Sequence, residues 1–168
     1  MTDVADQKGA DRIAGGALIL GSLLSVFVMA HHPEHVDPNG LVGLVHGAMI
    51  ALMSATAFGF AHFALRRGAA RPEILAGLIA YFIGLAADLG AGTINGFVVP
   101  ALATHGATLS GRDVFLLAWE SNQALARLGV FATAAAFTFW SIDFLRRPGF
   151  EPKSIVRARS FWVAENSA

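Results

Sequence analysis

The chain of 168 residues contains no cysteine and carries little charge. The lack of cysteine excludes disulfides, thiolate metal sites and thiol catalysis. Only 14% of the residues are charged and the formal net charge is zero, so no overall field would steer the chain to nucleic acid. We therefore expect no nucleic-acid partner.

Apolar residues, in contrast, dominate the composition. They make up 55% of the chain, and the mean hydropathy is +0.57, which is too apolar for an ordinary soluble domain. Four apolar stretches, about 13–31, 41–65, 74–103 and 113–145, each exceed or approach the roughly 20 residues that span a bilayer. The short connections cannot form a soluble domain. The sequence thus predicts one all-α integral membrane domain over 1–168, an up-down bundle of four transmembrane helices surrounded by lipid.

The basic residues fall almost entirely on one side of the predicted spans. That side holds Lys8, Arg12, Arg66, Arg67, Arg71, Arg146, Arg147, Lys153, Arg157 and Arg159, and the opposite side holds Arg112. By the positive-inside rule the tails 1–11 and 148–168, and with them both termini, are cytoplasmic. Trp140, near the inner end of the fourth span, suits an interfacial aromatic belt. In a bacterium this is the inner membrane, with the loops that bear His31, His32, His35 and His105 in the periplasm.

The third predicted span carries small and polar residues at regular intervals. Gly84, Asp88, Gly92 and Gly96 recur every four residues, and Asn95 follows Asp88 by seven on nearly the same face. Such a ridge lets another helix approach closely. We expect the bundle to pack through the glycines of spans one and three, and to form a homo-oligomer that buries what a small bundle leaves exposed.

The fourth span carries a polar stripe, in which Glu120, Gln123 and Arg127 are spaced by three, four and seven. Counted along antiparallel helices at about 1.5 Å per residue, Arg127 reaches the depth of Asp88. A charge near the bilayer centre costs at least about 2.5 to 3.5 kcal/mol, much of which pairing removes. These positions predict a structural ion pair between Asp88 and Arg127.

About 10 Å further out, Asn95 comes level with Glu120, and His46 of the second span lies at a similar depth. One interpretation is polar contact that only locks helices together. The other is a pocket in the outer half of the bilayer that binds an apolar small molecule or haem. In that pocket His46 would be the iron ligand or base, Glu120 the proton donor, and Asn95 a hydrogen-bond donor to substrate oxygen, with Asp88 and Arg127 in support.

Two neighbours on the second span bear on His46. Gly47 has no side chain and would leave room for a flat ligand beside the imidazole. His62 follows His46 by sixteen residues, about 24 Å along a helix, so this helix alone cannot supply both axial ligands of a haem. The loop histidines before the second span could bind Zn or Cu, but their spacing matches no stringent metal motif, and solvated side chains are the simpler interpretation.

Four segments carry a resemblance to known proteins: "HHPEH", "LVHGAMIALM", "GFVVPALA" and "GRDVFLLA". Their order resembles that of an uncharacterised group of small four-span bacterial membrane proteins and, distantly, that of styrene oxide isomerase. In the latter family a histidine that opens the second span ligates haem b, whose ferric iron acts as a Lewis acid on the epoxide oxygen. His46 occupies that place. The chain departs from the pattern at Leu52, where an asparagine would be expected, and at its one tyrosine, Tyr81, which lies deeper.

The resemblance implies the same fold and an enzyme of the epoxide-rearranging type, with His46 as the iron ligand. A non-catalytic accessory subunit of a membrane complex is the alternative from a different functional class. The residues themselves leave both open.

Overall fold

A computed structural model describes residues 4–32, 41–105 and 109–147, and these are almost entirely helical. The helices are α1 (Val4–Ala30), α2 (Val42–Arg67), α3 (Pro72–Thr93), α4 (Val99–His105) and α5 (Leu109–Arg146), with a π-helical segment, Ile94–Val98, between α3 and α4. Four helical stretches, 6–30, 42–67, 72–103 and 112–146, are long and apolar enough to cross a membrane. The expectation of an all-α protein with four such helices is confirmed.

The structure departs from the predicted segments in two main respects, one at the N-terminal tail and one inside the third span. Residues 4–11, assigned to a tail, belong to α1, and the third stretch, predicted as one regular helix over 74–103, is interrupted by the π-helical segment. The predicted tail 148–168 lies outside the described residues.

The connection between α2 and α3 is a tight turn at Gly68. This glycine has φ 100°, the one positive φ in the described ranges, and its N–H donates to the Leu65 carbonyl at 3.3 Å. A left-handed residue here suits glycine because a side chain would be strained. Arg71 N–H then donates to the Gly68 carbonyl at 2.9 Å, and α3 begins at Pro72, whose missing N–H needs no partner in a first turn.

Small residues allow the helices to approach closely. In the α1–α2 contact, a Cβ added at Gly21 would lie 2.7 Å from Thr56 Cγ2, and one at Gly59 would collide with Leu18. In the α3–α5 contact, which is the most extensive between the described helices, a Cβ at Gly84 would lie 2.7 Å from Thr133 Oγ1. At these three positions a side chain would occupy space that the neighbouring helix fills, so glycine allows the close approach.

The predicted glycine ridge of the third span meets two different helices. Gly84 and Asp88 face α5, whereas Gly92 and Gly96 face Ile50 and His46 of α2. The reason is geometric: four residues turn the helix through about 400°, so each step drifts by about 40° and the twelve residues from Gly84 to Gly96 drift by about a third of a turn.

The buried apolar core lies where α2, α3 and α5 meet. Phe60 stacks on Trp140 with a centroid distance of 5.3 Å and lies 4.7 Å from the Tyr81 ring. Trp140 is buried and its indole N–H donates to the Ile74 carbonyl at 3.3 Å. A side chain at Gly77 would collide with this indole. The prediction that Trp140 belongs to an interfacial belt is wrong, because it lies on the face of α5 that meets α3 and not on the outward one.

Candidate functional site

His46 lies in the second turn of α2 and is buried, with 7% of its surface exposed. Its Nδ1 lies 2.8 Å from the Val42 carbonyl oxygen, one turn earlier in α2. A carbonyl oxygen only accepts, so Nδ1 carries the proton and donates. In the neutral imidazole Nε2 then holds the lone pair, which makes it the atom available to a ligand.

Two polar side chains from other elements meet this Nε2. Asn95 Nδ2, in the π-helical segment, donates to it at 3.1 Å. His32 Nε2, just after the end of α1, lies 3.5 Å away, with the two rings edge to face at a centroid distance of 5.0 Å. We call His32, His46 and Asn95 the histidine site. It joins three separate parts of the chain at one nitrogen.

The π-helical segment sets the position of Asn95. Val99 N–H donates to the Ile94 carbonyl, five residues back, which is the hydrogen bond of a π-helix. Pro100 follows directly; it has no N–H, and its ring crowds the carbonyl of the residue four earlier. A widened turn relieves that crowding. Single π-helical turns recur at functional sites of proteins, and this one contacts His46.

Glycines bring the π-helical segment against α2. A Cβ at Gly96 would collide with His46 Cβ and lie 2.7 Å from its Cγ. On the other side of the contact, the positions of a Cβ at Gly43 and at Gly47 lie 3.6 and 3.8 Å from the Phe97 ring. The space that the missing side chain of Gly47 was expected to offer a flat ligand is therefore bordered by this ring.

The predicted ion pair between Asp88 and Arg127 is not formed among the described residues. Asp88 instead packs its carboxylate against Gly129, where a Cβ would collide with it. Gly129 is close to the predicted depth, but it is two residues beyond Arg127. Two residues turn a helix through about 200°, so Arg127 points away from α3 and is exposed.

Glu120 is also exposed, and it makes no hydrogen bond or ion pair within the described part of the chain. It precedes Arg127 by seven residues and so shares the outward face of α5. The structure therefore brings Asn95 to His46, as expected, but places Glu120 apart from them. The inward stripe of α5 consists of residues spaced by seven: Asn122, Gly129, Ala136 and Asp143.

The opposite end of the bundle holds a buried ion pair that the sequence did not indicate. Arg67 Nε donates to Asp143 Oδ2 at 2.7 Å, and the two side chains are 2% and 0% exposed. Arg67 Nη2 also donates to the Arg147 carbonyl at 2.6 Å, and its guanidinium carbon lies 4.3 Å from the centre of the Phe144 ring. This ion pair joins the C-terminal end of α2 to the C-terminal end of α5.

Further pairs join the other helix ends in the same region. His62 Nε2 and Arg66 Nε, in α2, lie 2.7 and 3.0 Å from Asp11 Oδ1 in α1, and Arg146 of α5 pairs with Glu73 of α3. We call this region, with Arg67 and Asp143 at its centre, the arginine end. His62 is thereby used in a contact between helices, far from His46.

Comparison with protein-family models, with curated proteins and with solved structures finds no match to this chain. The fold and the site define a class: a membrane protein of four apolar helices with a histidine site at one end and an arginine–carboxylate network at the other. Over residues 4–32, 41–105 and 109–147, no group of three or more His, Cys, Asp or Glu is arranged to hold a metal ion.

Proposed function

We propose that this protein binds a small apolar molecule or haem at the histidine site, and that His46 Nε2 is the binding atom. The observation that carries the proposal is the hydrogen bond from His46 Nδ1 to the Val42 carbonyl. It fixes the tautomer and the ring orientation, as the partners of metal-ligating histidines do. The remaining nitrogen faces two groups, Asn95 and His32, that can exchange their contact with His46 for one with a ligand.

The donor chemistry of the site fits haem b. A neutral imidazole whose other nitrogen donates to a carbonyl is a suitable iron ligand, and His46 would hold the iron. When bound, the ferric haem would supply a Lewis acid for an oxygen-bearing substrate. The protein residues would supply the rest: Phe97 would border the site as an apolar wall, and where a small molecule takes the place beside His46 Nε2 without haem, the Asn95 amide would donate a hydrogen bond to its oxygen.

In its enzymatic form the proposal is a membrane isomerase of the epoxide-rearranging type. The resemblance to styrene oxide isomerase and the contact between His46 and Asn95 support it. Glu120 lies apart from His46 and Asn95, on the outward face of α5, so the proposal assigns the proton-donor role to a residue nearer to His46. His32 takes its place in the proposal, because its imidazole lies at the His46 nitrogen and imidazole exchanges protons near neutral pH.

The visible spectrum of the detergent-purified protein from haem-replete cells tests the haem form. We expect a Soret band that His46→Ala abolishes. His62→Ala is the matched control on the same helix, because His62 contacts Asp11 at the other end, and it should keep the band. A colourless protein that also gives no Soret shift on titration with ferric haem would reject the haem form.

An accessory role in a membrane complex is favoured by a different observation. Glu120 and Arg127 are exposed on a stretch of α5 apolar enough to cross the membrane. Lipid is a costly environment for both, at least about 2.5 kcal/mol each, so this face would be covered by protein, either a second copy of the chain or a partner subunit. Crosslinking and native gels of the wild type and of Glu120→Gln/Arg127→Gln test it: the variant should lose a defined assembly, and an unchanged monomer in both would contradict it.

The arrangement in the membrane follows from the charges. The pairs at the arginine end favour antiparallel neighbours, an up-down bundle. The positive-inside rule places this end and both termini in the cytoplasm and the histidine site in the outer half of a bacterial inner membrane. Labelling of single cysteines introduced at Thr2 and at Ser110 from either side of the membrane tests this orientation, because the two should be reached from opposite sides.

A further inference from the structure

Three arginines at the arginine end share one carboxylate. Asp143 Oδ2 accepts from Arg67 at 2.7 Å, and Asp143 Oδ1 lies 3.6 Å from Arg71 Nη1 and 3.5 Å from Arg147 Nη1. One negative charge thus faces three positive ones. Glu73 does not correct the imbalance, because it is paired with a fourth arginine, Arg146. The cluster keeps an excess of positive charge.

The three arginines differ in exposure and in contact length. Arg67 is only 2% exposed, and its guanidinium contacts Asp143, the Arg147 carbonyl and the Phe144 ring. Arg71 and Arg147 are 39% and 51% exposed, and each reaches Asp143 through one long contact. A guanidinium has five N–H donors, and among the described residues the side chains of Arg71 and Arg147 each pair with Asp143 through one Nη1 atom.

Asp143 holds these two exposed guanidiniums beside each other. Both lie within 3.6 Å of the same Oδ1 atom, and Asp143 itself is fixed by Arg67. Two like charges held together in this way favour an anion that bridges them. The order already present lowers the entropy that binding would cost. Guanidinium groups match the oxygens of phosphate through paired hydrogen bonds.

The surrounding backbone has the same sign of potential. Arg71 immediately precedes Pro72, the first residue of α3, and makes no side-chain hydrogen bond to the N-terminus of that helix. Glu73, in the first turn, accepts a hydrogen bond from its own backbone N–H and is paired with Arg146. A helix N-terminus carries a partial positive charge. The apolar stretches that could cross a bilayer end here, at 72 and at 146, which is the level of the lipid phosphates.

We propose that Arg71 and Arg147 bind a phosphate group, supplied by the headgroup of an anionic phospholipid. Asp143 and Arg67 position the two arginines and do not themselves contact the lipid. The site is at the opposite end from His46 and does not depend on the function proposed for the histidine site.

Thermal unfolding of the full chain in detergent, with added lipid, tests the proposal. Short-chain phosphatidylglycerol should raise the Tm of the wild type by several degrees, and phosphatidylcholine of the same chain length should not. In Arg71→Gln/Arg147→Gln the apparent Kd for phosphatidylglycerol should rise by at least about tenfold, because charge-assisted hydrogen bonds are lost. Arg112→Gln, an exposed arginine near the other end of α5, is the control and should respond like the wild type.

Inorganic phosphate separates the two sources of the ligand. Stabilisation of the wild type by phosphate alone, equal to that by phosphatidylglycerol and lost in the double variant, would support the phosphate site but overturn the lipid as its source. An equal response of the wild type and the double variant to phosphatidylglycerol would overturn the site itself.

A milder variant guards against misfolding of the double glutamine variant. Arg71→Lys/Arg147→Lys keeps both charges but loses the planar fork that binds phosphate oxygens in pairs. We expect it to fold and to bind phosphatidylglycerol several-fold more weakly than the wild type. Binding as tight as that of the wild type would contradict recognition by the two guanidinium groups.

Discussion

At the arginine end the buried Asp143 carboxylate meets a guanidinium at 2.7 Å, whereas at the histidine end the buried His46 imidazole meets an amide and a second imidazole. Removing one member of a buried ion pair strands a charge, which is costly. Removing one member of a neutral hydrogen bond costs far less. The buried ion pair at the arginine end is therefore suited to holding helices together. The hydrogen bonds of His46 can be replaced by contacts with a ligand.

The largest expected effect follows from breaking the buried ion pair. Asp143→Ala should lower the free energy of unfolding by about 3 to 5 kcal/mol, because it leaves the buried Arg67 guanidinium without its carboxylate. Arg67→Ala should cost less, because Asp143 keeps its longer contacts with Arg71 and Arg147. The double change Arg67→Met/Asp143→Leu should be much milder than either. Denaturant unfolding in detergent measures all of them. The matched single variants Arg67→Met and Asp143→Leu complete the cycle, and effects of these two that simply add in the double variant would contradict the pairing.

A smaller effect is expected where the π-helical segment meets α2. Gly96→Ala should cost about 1 to 3 kcal/mol, because its methyl group would overlap the base of the His46 side chain and force the helices apart. Gly92→Ala is the matched control: its Cβ would lie 3.8 Å from Ile50 Cγ1, an ordinary contact, and it should be nearly neutral. Equal Tm values for the two variants would count against the close approach at His46.

Loss of the amide at the histidine site should cost less again. Asn95→Ala removes one neutral hydrogen bond to His46 Nε2, worth about 0.5 to 1.5 kcal/mol. Its free energy of unfolding should therefore stay close to that of the wild type, well above that of Asp143→Ala. A loss as large as that of Asp143→Ala would mean that the histidine site, too, is chiefly a fastening.

The smallest expected effect is the coupling free energy between Asp88 and Arg127, which should be close to zero. Asp88 packs into the α3–α5 contact, whereas Arg127 points away from it, so the effects of Asp88→Asn and Arg127→Gln should add within about 0.5 kcal/mol. A double-mutant cycle measured by unfolding in detergent checks this. A coupling of several times that size would restore the ion pair predicted from their depths.

The four helices could be predicted because hydropathy and length alone decide which segments suit a bilayer. The direction in which each side chain points could not be predicted, because two residues along a helix correspond to a rotation of about 200°. Gly129, which contacts Asp88, and Arg127, which was predicted to pair with Asp88, differ by two residues. The polar stripe of α5 was expected to face the other helices, yet the helix packs through the residues spaced by seven from Asn122 to Asp143.

Within the site, His46 and Asn95 were predicted to meet, and the structure brings them together. His32 was assigned to a solvated loop, because a sequence shows no difference between a histidine that ends a helix and one in solvent. The widened turn that positions Asn95 was also missed, although Pro100 was a signal for it. Asp143 was overlooked because it precedes a run of arginines that looks like an exposed boundary of the membrane.

Titration with ferric haem, followed at the Soret band, tests most directly whether the histidine site binds a ligand while the Arg67–Asp143 pair has only a structural role. The wild type should give a saturable shift, His46→Ala should lose it, and the folded Arg67→Met/Asp143→Leu variant should keep it. An unchanged shift in His46→Ala, or its loss in a folded Arg67→Met/Asp143→Leu variant, would contradict this division.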